Sequence, residues 1–379
     1  MKAAVFVLSA SFAIGLASPA QAQIGGALGK IKKAADKAAD AKEKFDDYNI
    51  TAKEERQLGD AVSLRLRQKF GVYQNVAVTK YVMLVGTTLA QGSKTPALDW
   101  QFIVLDTDGV NAYAAPGGLV HITRGLLGLM KSEAELAGVL GHEVTHVTAQ
   151  HTVNAIKKAK GVNIAGDLGG AGGSMRDKFI SEMAAKAFNK IFEGEFSRAD
   201  EDDADETGIR LANSAGYSPA GMVQVLEKLD ARNGSRQERN GMFASHPATK
   251  DRIDSLNKQI KAEKLAASAT GAARYKQFIT FDARPVTSIA TDVEGAAGLA
   301  TGDKKKADET KADDSQKKGG LLKSITGGKQ TQAQQQTASA GARGMGDAPD
   351  RDAAGGANKN PVSVKISAAE IAAFKKGIA

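Results

Sequence analysis

A chain of 379 residues is long enough for one or two domains with a substantial core. It contains no cysteine, which excludes disulfides and thiolate metal sites, so any metal must be held by His, Asp or Glu. The formal net charge is +8, but the basic residues are spread among acidic ones without stacked aromatics. We therefore expect a solvated surface and no nucleic-acid partner.

The first 22 residues have the pattern of an export signal. Lys2 gives a positive start, Ala3 to Leu16 is apolar, and Ala20 to Ala22 fits a small-x-small cleavage site. We predict a signal peptide at 1–22 and a mature protein in a bacterial periplasm. The apolar run is short for a membrane span, so none is expected in the mature chain. The Ala/Lys-rich stretch at 23–49 is predicted to be a tether or a marginal helix.

Two helices are predicted to open the folded part, near residue 50. Thr51 and Glu54 have the spacing of a capping box and begin a helix over 51–70. A second helix over 75–89 follows, because its apolar residues recur at helical spacing.

A small sheet is predicted next, because the hydrophobic period changes. Residues 100–105 have the pattern of a strand, 111–118 contain a Pro-Gly-Gly turn, and 119–123 form the return strand. His121 lies in that return strand, and we interpret it as a strand residue and not as a metal ligand.

One long helix is predicted over 132–160. Ser132 and Glu135 form another capping box at its start, and a lysine cluster followed by glycine marks its end. Apolar residues cover more than one face of this helix, so we expect it to be buried on more than one side.

The same helix contains an HExxH motif, the arrangement known from zinc proteases. His142 and His146 are four residues apart and project from nearly the same side, so both can bind one metal ion. Glu143 lies beside that ion and can hold its bound water. His151 is nine residues after His142, about two and a half turns, so on a continuous helix it points away from the metal face.

A glycine-rich connector is predicted at 161–174, with a mobile lid over the active site as the weaker alternative. It lacks the strand and the Lys-Ser/Thr ending of a phosphate loop, which excludes nucleotide binding. Helices are predicted to resume at 176–192, 198–214 and 219–231.

The chain is thus predicted to contain one folded domain over 50–265, followed by less ordered segments. Residues 266–294 are an extension of uncertain structure. Residues 295–360 are rich in Gly, Ala, Gln, Lys and Asp, and we predict a disordered linker. At 361–379 an alternating stretch and a capping pair predict a short strand and a terminal helix.

A third metal ligand is needed, because a catalytic zinc typically has three protein ligands and one open position. Glu201 and Asp205 are four residues apart at the start of a predicted helix and share a face. Glu201 could complete the site while Asp205 fixes the tautomer of a ligand imidazole. An acidic, solvated helix start explains the same residues equally well from spacing alone.

Four blocks of the sequence resemble the zinc metalloendopeptidase family that contains HtpX, the CAAX prenyl proteases and the periplasmic BepA-type proteases. They occur in the same order and spacing and cover roughly residues 50–261. The blocks are Asn111–Gly118, Gly141–His146, Ser197–Asp205 and Ser245–Ile253. The chain has no long hydrophobic spans, so it is more similar to the soluble periplasmic branch. It departs from the BepA type in lacking a 34-residue helical repeat.

The resemblance implies one zinc ion per subunit, with Glu201 as the third ligand and Asp205 as its support. It also implies that His246 approaches the metal, either to steady the oxyanion or to occupy the open position at rest. Glu143 is then the general base. Arg198 is a candidate to brace the carboxylates, although an exposed arginine is nearly as good an explanation.

The substrate of such an enzyme is an extended peptide. We expect it to bind by strand addition, either at the strand over 100–105 or at Asn111, Ala112, Tyr113 and Ala114. The resemblance implies unfolded or misassembled proteins as substrates and an outer-membrane assembly machinery as a partner.

The sequence therefore predicts an α+β, mainly α-helical fold: a zincin-like metallopeptidase domain with a small β-sheet next to the HExxH helix and a disordered C-terminal tail. The predicted function is a zinc-dependent metalloendopeptidase of periplasmic protein quality control. The alternative is a metal-containing periplasmic chaperone or assembly factor that binds clients without turnover.

Overall fold

The computed structural model describes residues 50–158, 173–193, 196–233, 246, 250–285 and 358–378. Several sequence-based predictions lie outside these residues. They are the signal peptide at 1–22, the tether at 23–49, residues 161–172 of the glycine-rich connector or lid, residues 286–294 of the extension, and residues 295–357 of the predicted linker.

The described part is mostly helical with one small sheet, which confirms the predicted fold class. None of its helices is long and apolar enough to cross a membrane. In chain order the elements are α1 Ala52–Phe70, α2 Val76–Ala90, β1 Gln101–Leu105, β2 Ala112–Ala115, β3 Leu119–Thr123, α3 Arg124–Leu129, α4 Glu133–Thr148, α5 His151–Lys158, α6 Gly173–Glu193, α7 Arg198–Ser214, α8 Ala220–Asn233, α9 Lys250–Ala262, α10 Ala272–Phe278 and α11 Ala368–Lys376.

Local capping determines where several helices begin. Thr51 and Ser197 each form a complete capping box, before α1 and α7, and Ser132 accepts a hydrogen bond from the Glu135 backbone at the start of α4. These side chains satisfy backbone N–H groups that have no partner within the helix. For this reason the predicted starts of all three helices are confirmed.

The sheet has the order β1-β3-β2, and this differs from the predicted topology. β3 runs parallel to β1, so it is not the return strand of β1. The predicted turn at 111–118 contains the extra strand β2, which forms an antiparallel hairpin with β3. Only residues 116–118 turn, and Gly117 and Gly118 have φ angles of 74° and 95° there. Three of the four residues of β2 are alanine, which gives no clear strand pattern in the sequence.

The predicted single helix over 132–160 is wrong, because it breaks after Thr148. Gln150 has a positive φ of 55°, and α5 begins again at His151. The Gln150 side chain donates a 2.6 Å hydrogen bond to Glu55 on α1. This contact between distant parts of the chain holds Gln150 in a conformation that interrupts a helix.

Helix α4 lies at the centre of the core. It packs against α7, α8 and α2 and also against the sheet. Leu136, Val139, Leu140 and Val144 are all completely buried. The helix that carries the HExxH motif is therefore surrounded on several sides, and its polar side chains have little access to water.

The first residue of α4, Glu133, is a buried carboxylate that joins several elements. It accepts hydrogen bonds from the hydroxyls of Tyr81 (3.0 Å) and Tyr217 (3.2 Å), and it pairs with Arg274 of α10. The Arg274 guanidinium lies 4.2 Å from the ring centre of Phe374 on α11. A negative charge at a helix N-terminus also interacts favourably with the helix dipole.

The C-terminal segment docks on the domain. Asn358 and Lys359 accept hydrogen bonds from the Val72 backbone and the Arg67 side chain at 2.6 Å each, so the last residues of the predicted disordered linker are ordered. Residues 361–366 form no strand, contrary to the prediction, whereas the predicted helix forms as α11. Ile378 is buried in the common core.

His121 of β3 is completely buried, with its Nε2 2.8 Å from the Ser63 hydroxyl. Burial, assisted by the charge of Arg67, lowers the pKa of His121 from 6.5 to about 3. The unfolded chain binds a proton here below pH 6.5, whereas the folded protein does not until about pH 3. Stability is therefore lost as the pH falls through this window.

We predict that His121→Gln removes this part of the acid sensitivity. The wild type should lose about 1.4 kcal/mol per pH unit relative to the variant between pH 6 and 4. Urea unfolding of both proteins at several pH values measures the difference. Parallel pH profiles of the two proteins would contradict a neutral buried imidazole.

Candidate metal centre

Helix α4 presents its three HExxH side chains to one buried point. His142, Glu143 and His146 are at most 1% exposed. The Nε2 atoms of the two imidazoles are only 3.0 Å apart. Two nitrogens at this distance need a proton or a cation between or beside them.

Glu201 and His246 bring two further side chains to the same point. The Glu201 carboxylate lies 3.5 Å from His146 Nε2 and 3.7 Å from His142 Nε2. His246 Nδ1 lies 2.8 Å from Glu201 Oε1 and 3.2 Å from His142 Nε2. One potential ligand atom from each of His142, His146, Glu201 and His246 lies within 4.8 Å of the others. The structure therefore brings all four predicted metal-contacting residues together.

Two glycines allow the helices that carry these groups to approach closely. A Cβ atom at Gly141 would lie 2.7 Å from the Gly208 carbonyl oxygen, and one at Gly208 would lie 2.7 Å from the His142 nitrogen. Both distances are below those of real carbon contacts, so only glycine fits at either position. Glu201 lies about two turns before Gly208 on α7 and so faces the α4 imidazoles.

Asp205 and Arg252 support the ligands from behind. Asp205 Oδ1 lies 2.9 Å from His142 Nδ1, and Arg252 donates to both oxygens of Asp205 at 2.7 Å. Arg252 Nη1 also lies 3.0 Å from Glu201 Oε2. Burial acts to raise the pKa of Asp205, but the charge of Arg252 and the contact with His142 outweigh it and lower the pKa. The carboxylate therefore stays ionised and accepts the Nδ1 proton of His142.

Arg198 is not the residue that braces the carboxylates. Its side chain is 75% exposed, and its nearest acidic partner is Asp251 at 3.6 Å. Arg252 takes that place, although no role was predicted for it. The only sequence signal was its position in the fourth block, six residues after His246.

His151 does not point away from the metal face, contrary to the prediction. Its Nδ1 lies 2.9 Å from His146 Nδ1, and the residue is only 7% exposed. The break at Gln150 turns α5 relative to α4, so the geometry of a continuous helix does not apply.

Glu143 is the buried acid of the site whose two oxygens have no hydrogen-bond partner among the residues that the structure describes. The nearest titratable nitrogen is His246 Nε2, at 3.8 Å. Burial raises the pKa of Glu143, against the attraction of His246 and His142. A buried carboxyl without a hydrogen-bond partner destabilises the fold. Such a group is expected where a bound water is the partner.

The four candidate substrate residues lie close to this centre but are themselves buried. Asn111, Ala112, Tyr113 and Ala114 are at most 4% exposed. The ring of Tyr113 packs against those of Phe70 and Phe192, which also contact each other. Ala114 is the candidate that lines the same small cleft as His146.

The donor set fits zinc. His142 donates its Nδ1 proton to Asp205, so its Nε2 carries a free lone pair directed at the other ligands. Burial acts to raise the pKa of Glu201, but His246 and His146 outweigh it and hold the pKa well below its usual range, so the carboxylate is anionic. Imidazole nitrogens with one carboxylate are ligands that zinc favours.

Comparison with known proteins gives a family match for the part of the chain that contains the site. Residues 77–260 match the family model described as Peptidase family M48. This part of the chain is similar to peptidase family M48.

Individual relatives in family M48 are similar over about half of the chain. The beta-barrel assembly-enhancing protease of Yersinia pestis is 24% identical over 228 residues, which are 58% of this chain and 47% of that protein. Metalloprotease LoiP of Escherichia coli (strain K12) is 26% identical, over 58% of this chain and 86% of its own length. Metalloprotease YcaL of the same strain is 29% identical, over 46% and 68%.

The match to family M48 and the names of the relatives identify a metallopeptidase domain. The chain spans less than half of the length of the Yersinia relative. The matched residues 77–260 include the HExxH helix, Glu201, Asp205, His246 and Arg252.

We predict that Gly208→Ala separates α4 from α7 and weakens metal binding. The added carbon meets backbone atoms that cannot rotate away, so we expect a loss of about 1–3 kcal/mol in unfolding free energy, although alanine favours a helix. Denaturant unfolding and zinc titration measure both effects. Gly92→Ala is the control, because its added carbon makes only ordinary contacts, at 3.4 Å or more. Equal zinc affinity in Gly208→Ala would contradict the role of the helix contact.

Proposed function

We propose that this chain is a zinc-dependent metalloendopeptidase. One observation carries the proposal: imidazole nitrogens and the Glu201 carboxylate converge on a buried point beside Glu143, whose own oxygens have no hydrogen-bond partner in the described part of the chain. A purely structural zinc site needs no such adjacent base. The proposed metal ligands are His142, His146 and Glu201.

A zinc ion at this point would polarise the scissile carbonyl and acidify the attacking water. Glu143 accepts a proton from that water at one of its carboxylate oxygens, then delivers it to the leaving amine. Burial raises the pKa of Glu143, which makes its protonated form accessible enough to act as the acid in the second step. Asp205 holds His142 in the tautomer that leaves Nε2 free.

His246 is proposed as a fourth ligand in the resting state, in preference to an oxyanion donor. Its Nδ1 lies as close to Glu201 and His142 as the other ligand atoms do. It belongs to neither α4 nor α7, the two helices that carry the other proposed ligands. Its departure would open the position that a substrate carbonyl needs.

The proposed substrates are unfolded or misassembled proteins, bound as extended segments next to β2. Ala114, near the end of this strand, and the proposed ligand His146 line the same small cleft, which supports a peptide position close to His146. Strand addition would hold a peptide through its backbone and so accept many sequences.

A role in protein quality control of the periplasm is part of the proposal. Relatives named beta-barrel assembly-enhancing protease support it, and so does the export-like N-terminus. They also support an outer-membrane assembly machinery as a partner. A mature protein in a periplasmic fraction that still begins at Met1 would count against export by cleavage.

A chaperone or assembly factor without turnover is the second candidate. The observation in its favour is the fourth potential ligand, His246, because four protein ligands are typical of a closed structural zinc site.

Glu143→Gln separates the two candidates. We predict that cleavage of casein or of a reduced, unfolded protein falls by about 10²–10⁴-fold, because the general base is lost. Metal analysis should find the same zinc content as in the wild type. Glu201→Gln is the matched control and should lose zinc. Equal residual cleavage by wild type and Glu143→Gln would eliminate the peptidase proposal in favour of the chaperone.

The inactive Glu143→Gln variant also serves as a trap for bound substrate. A peptide with methylated backbone nitrogens should compete poorly for it, because methylation removes the hydrogen bonds of strand addition. Undiminished competition by the methylated peptide would contradict binding along β2.

His246→Ala distinguishes the two roles of that residue. If His246 is a ligand in the resting state, the variant should bind zinc more weakly. It should then cleave casein at least as fast as the wild type when zinc is saturating. An oxyanion donor gives a fall in kcat of about 10²–10³-fold. Cleavage assays over a range of free zinc measure both quantities, and the larger fall would overturn the proposed resting ligand.

A further inference from the structure

His151 makes a direct imidazole–imidazole contact with a proposed metal ligand. Its Nδ1 lies 2.9 Å from His146 Nδ1, and the ring centres are 4.9 Å apart. His151 itself is not among the four side chains that could hold the ion. The contact is therefore behind the metal ligand and not on the metal side.

The protonation of this pair follows from the metal site. His146 must leave Nε2 unprotonated to bind a cation, so its proton is on Nδ1. His146 Nδ1–H then donates to His151 Nδ1, which acts as the acceptor. A neutral His151 that accepts at Nδ1 carries its own proton on Nε2.

Two acidic side chains of α7 lie where they can accept a hydrogen bond from the Nε2–H group of His151. His151 Nε2 lies 3.3 Å from Asp203 Oδ2 and 3.8 Å from Asp200 Oδ1. The result is a relay from carboxylate to His151 to His146. His142 has the shorter equivalent, in which Asp205 accepts its Nδ1 proton directly.

The helix break after Thr148 makes this contact possible. On a continuous helix His151 would be on the opposite side from His142. The positive φ of Gln150 ends α4 and redirects the chain, and Asn154 donates to the Ala149 carbonyl across the junction at 3.1 Å. The Glu55 contact of Gln150 stabilises the same conformation.

We infer that His151 is a positioning residue of the metal site, which fixes the tautomer and ring orientation of His146 through an Nδ1–Nδ1 hydrogen bond backed by Asp203. This inference rests on the proposed zinc site. It adds a residue that orients a ligand, and such residues change metal affinity by about 10–100-fold.

Zinc affinity of the full-length protein tests the inference without relying on activity. His151→Asn retains an acceptor near the position of Nδ1, whereas His151→Gln places it one bond further out and His151→Phe has none. Competition with a chromophoric chelator should show binding about 10–100-fold weaker for the Phe and Gln variants. The Asn variant should recover most of the affinity. Cobalt loading should give a wild-type visible spectrum in the Asn variant and a shifted one in the Gln variant.

Asp203→Asn and Glu206→Gln complete the set. Both remove one negative charge from α7, but only Asp203 contacts His151, so only its variant should weaken zinc binding. Wild-type affinity in His151→Phe would overturn the inference. Equal affinities of the Asn and Gln variants would overturn it too, and this comparison holds even if the Phe variant does not fold. Failure of the wild type to bind zinc would instead refute the proposed function.

Discussion

The contact between the α4 and α7 backbones at Gly141 and Gly208 is the constraint on which the site depends. It brings the two helices closer than side chains would allow, and it thereby sets the distance from the α4 imidazoles to the α7 carboxylates. Glu201 and Asp205 are one turn apart on α7, so a single helix position serves both the proposed ligand and its support. A wider separation would lose both together.

Burial of so many polar groups is tolerated because nearly every one has a partner. Arg252 joins Asp205 to Glu201, Asp205 joins Arg252 to His142, and His151 closes the chain behind His146. In surroundings of low polarity a satisfied network fixes one arrangement of its members, whereas an incomplete one destabilises the fold. Among the described residues the oxygens of Glu143 have no hydrogen-bond partner in this network, and for this reason we propose this carboxyl as the group that reacts with a water molecule.

Sequence reasoning predicted what local chemistry determines. The starts of α1 and α4 follow from short-range capping pairs, and the pairing of His142 with His146 follows from the repeat of a helix. Glu201 could not be separated from a solvated acidic residue by spacing alone. The resemblance to a known family suggested its place, because four ordered blocks carry more information than one motif.

What could not be predicted depends on contacts between distant residues. The break at Gln150 depends on Glu55, which is 95 positions away, and the direction of His151 depends on that break. Arg252 looks like any basic residue near a helix start until α9 packs beside α7. The strand β2 consists of three alanines and Tyr113, a sequence that gives no strong alternation of hydrophobicity, and it is recognised only by its pairing with β3.

The docking of α11 links the C-terminal segment to the start of α4. Phe374 covers the guanidinium of Arg274, and Arg274 neutralises Glu133 at the first turn of the helix that carries the HExxH motif. If α11 left this surface, water would reach the ion pair of Arg274 and Glu133, whose surroundings now have low polarity. The attraction between the two charges would then weaken. A modification near residue 374 would thus be transmitted to α4, although more than two hundred positions separate them in the chain.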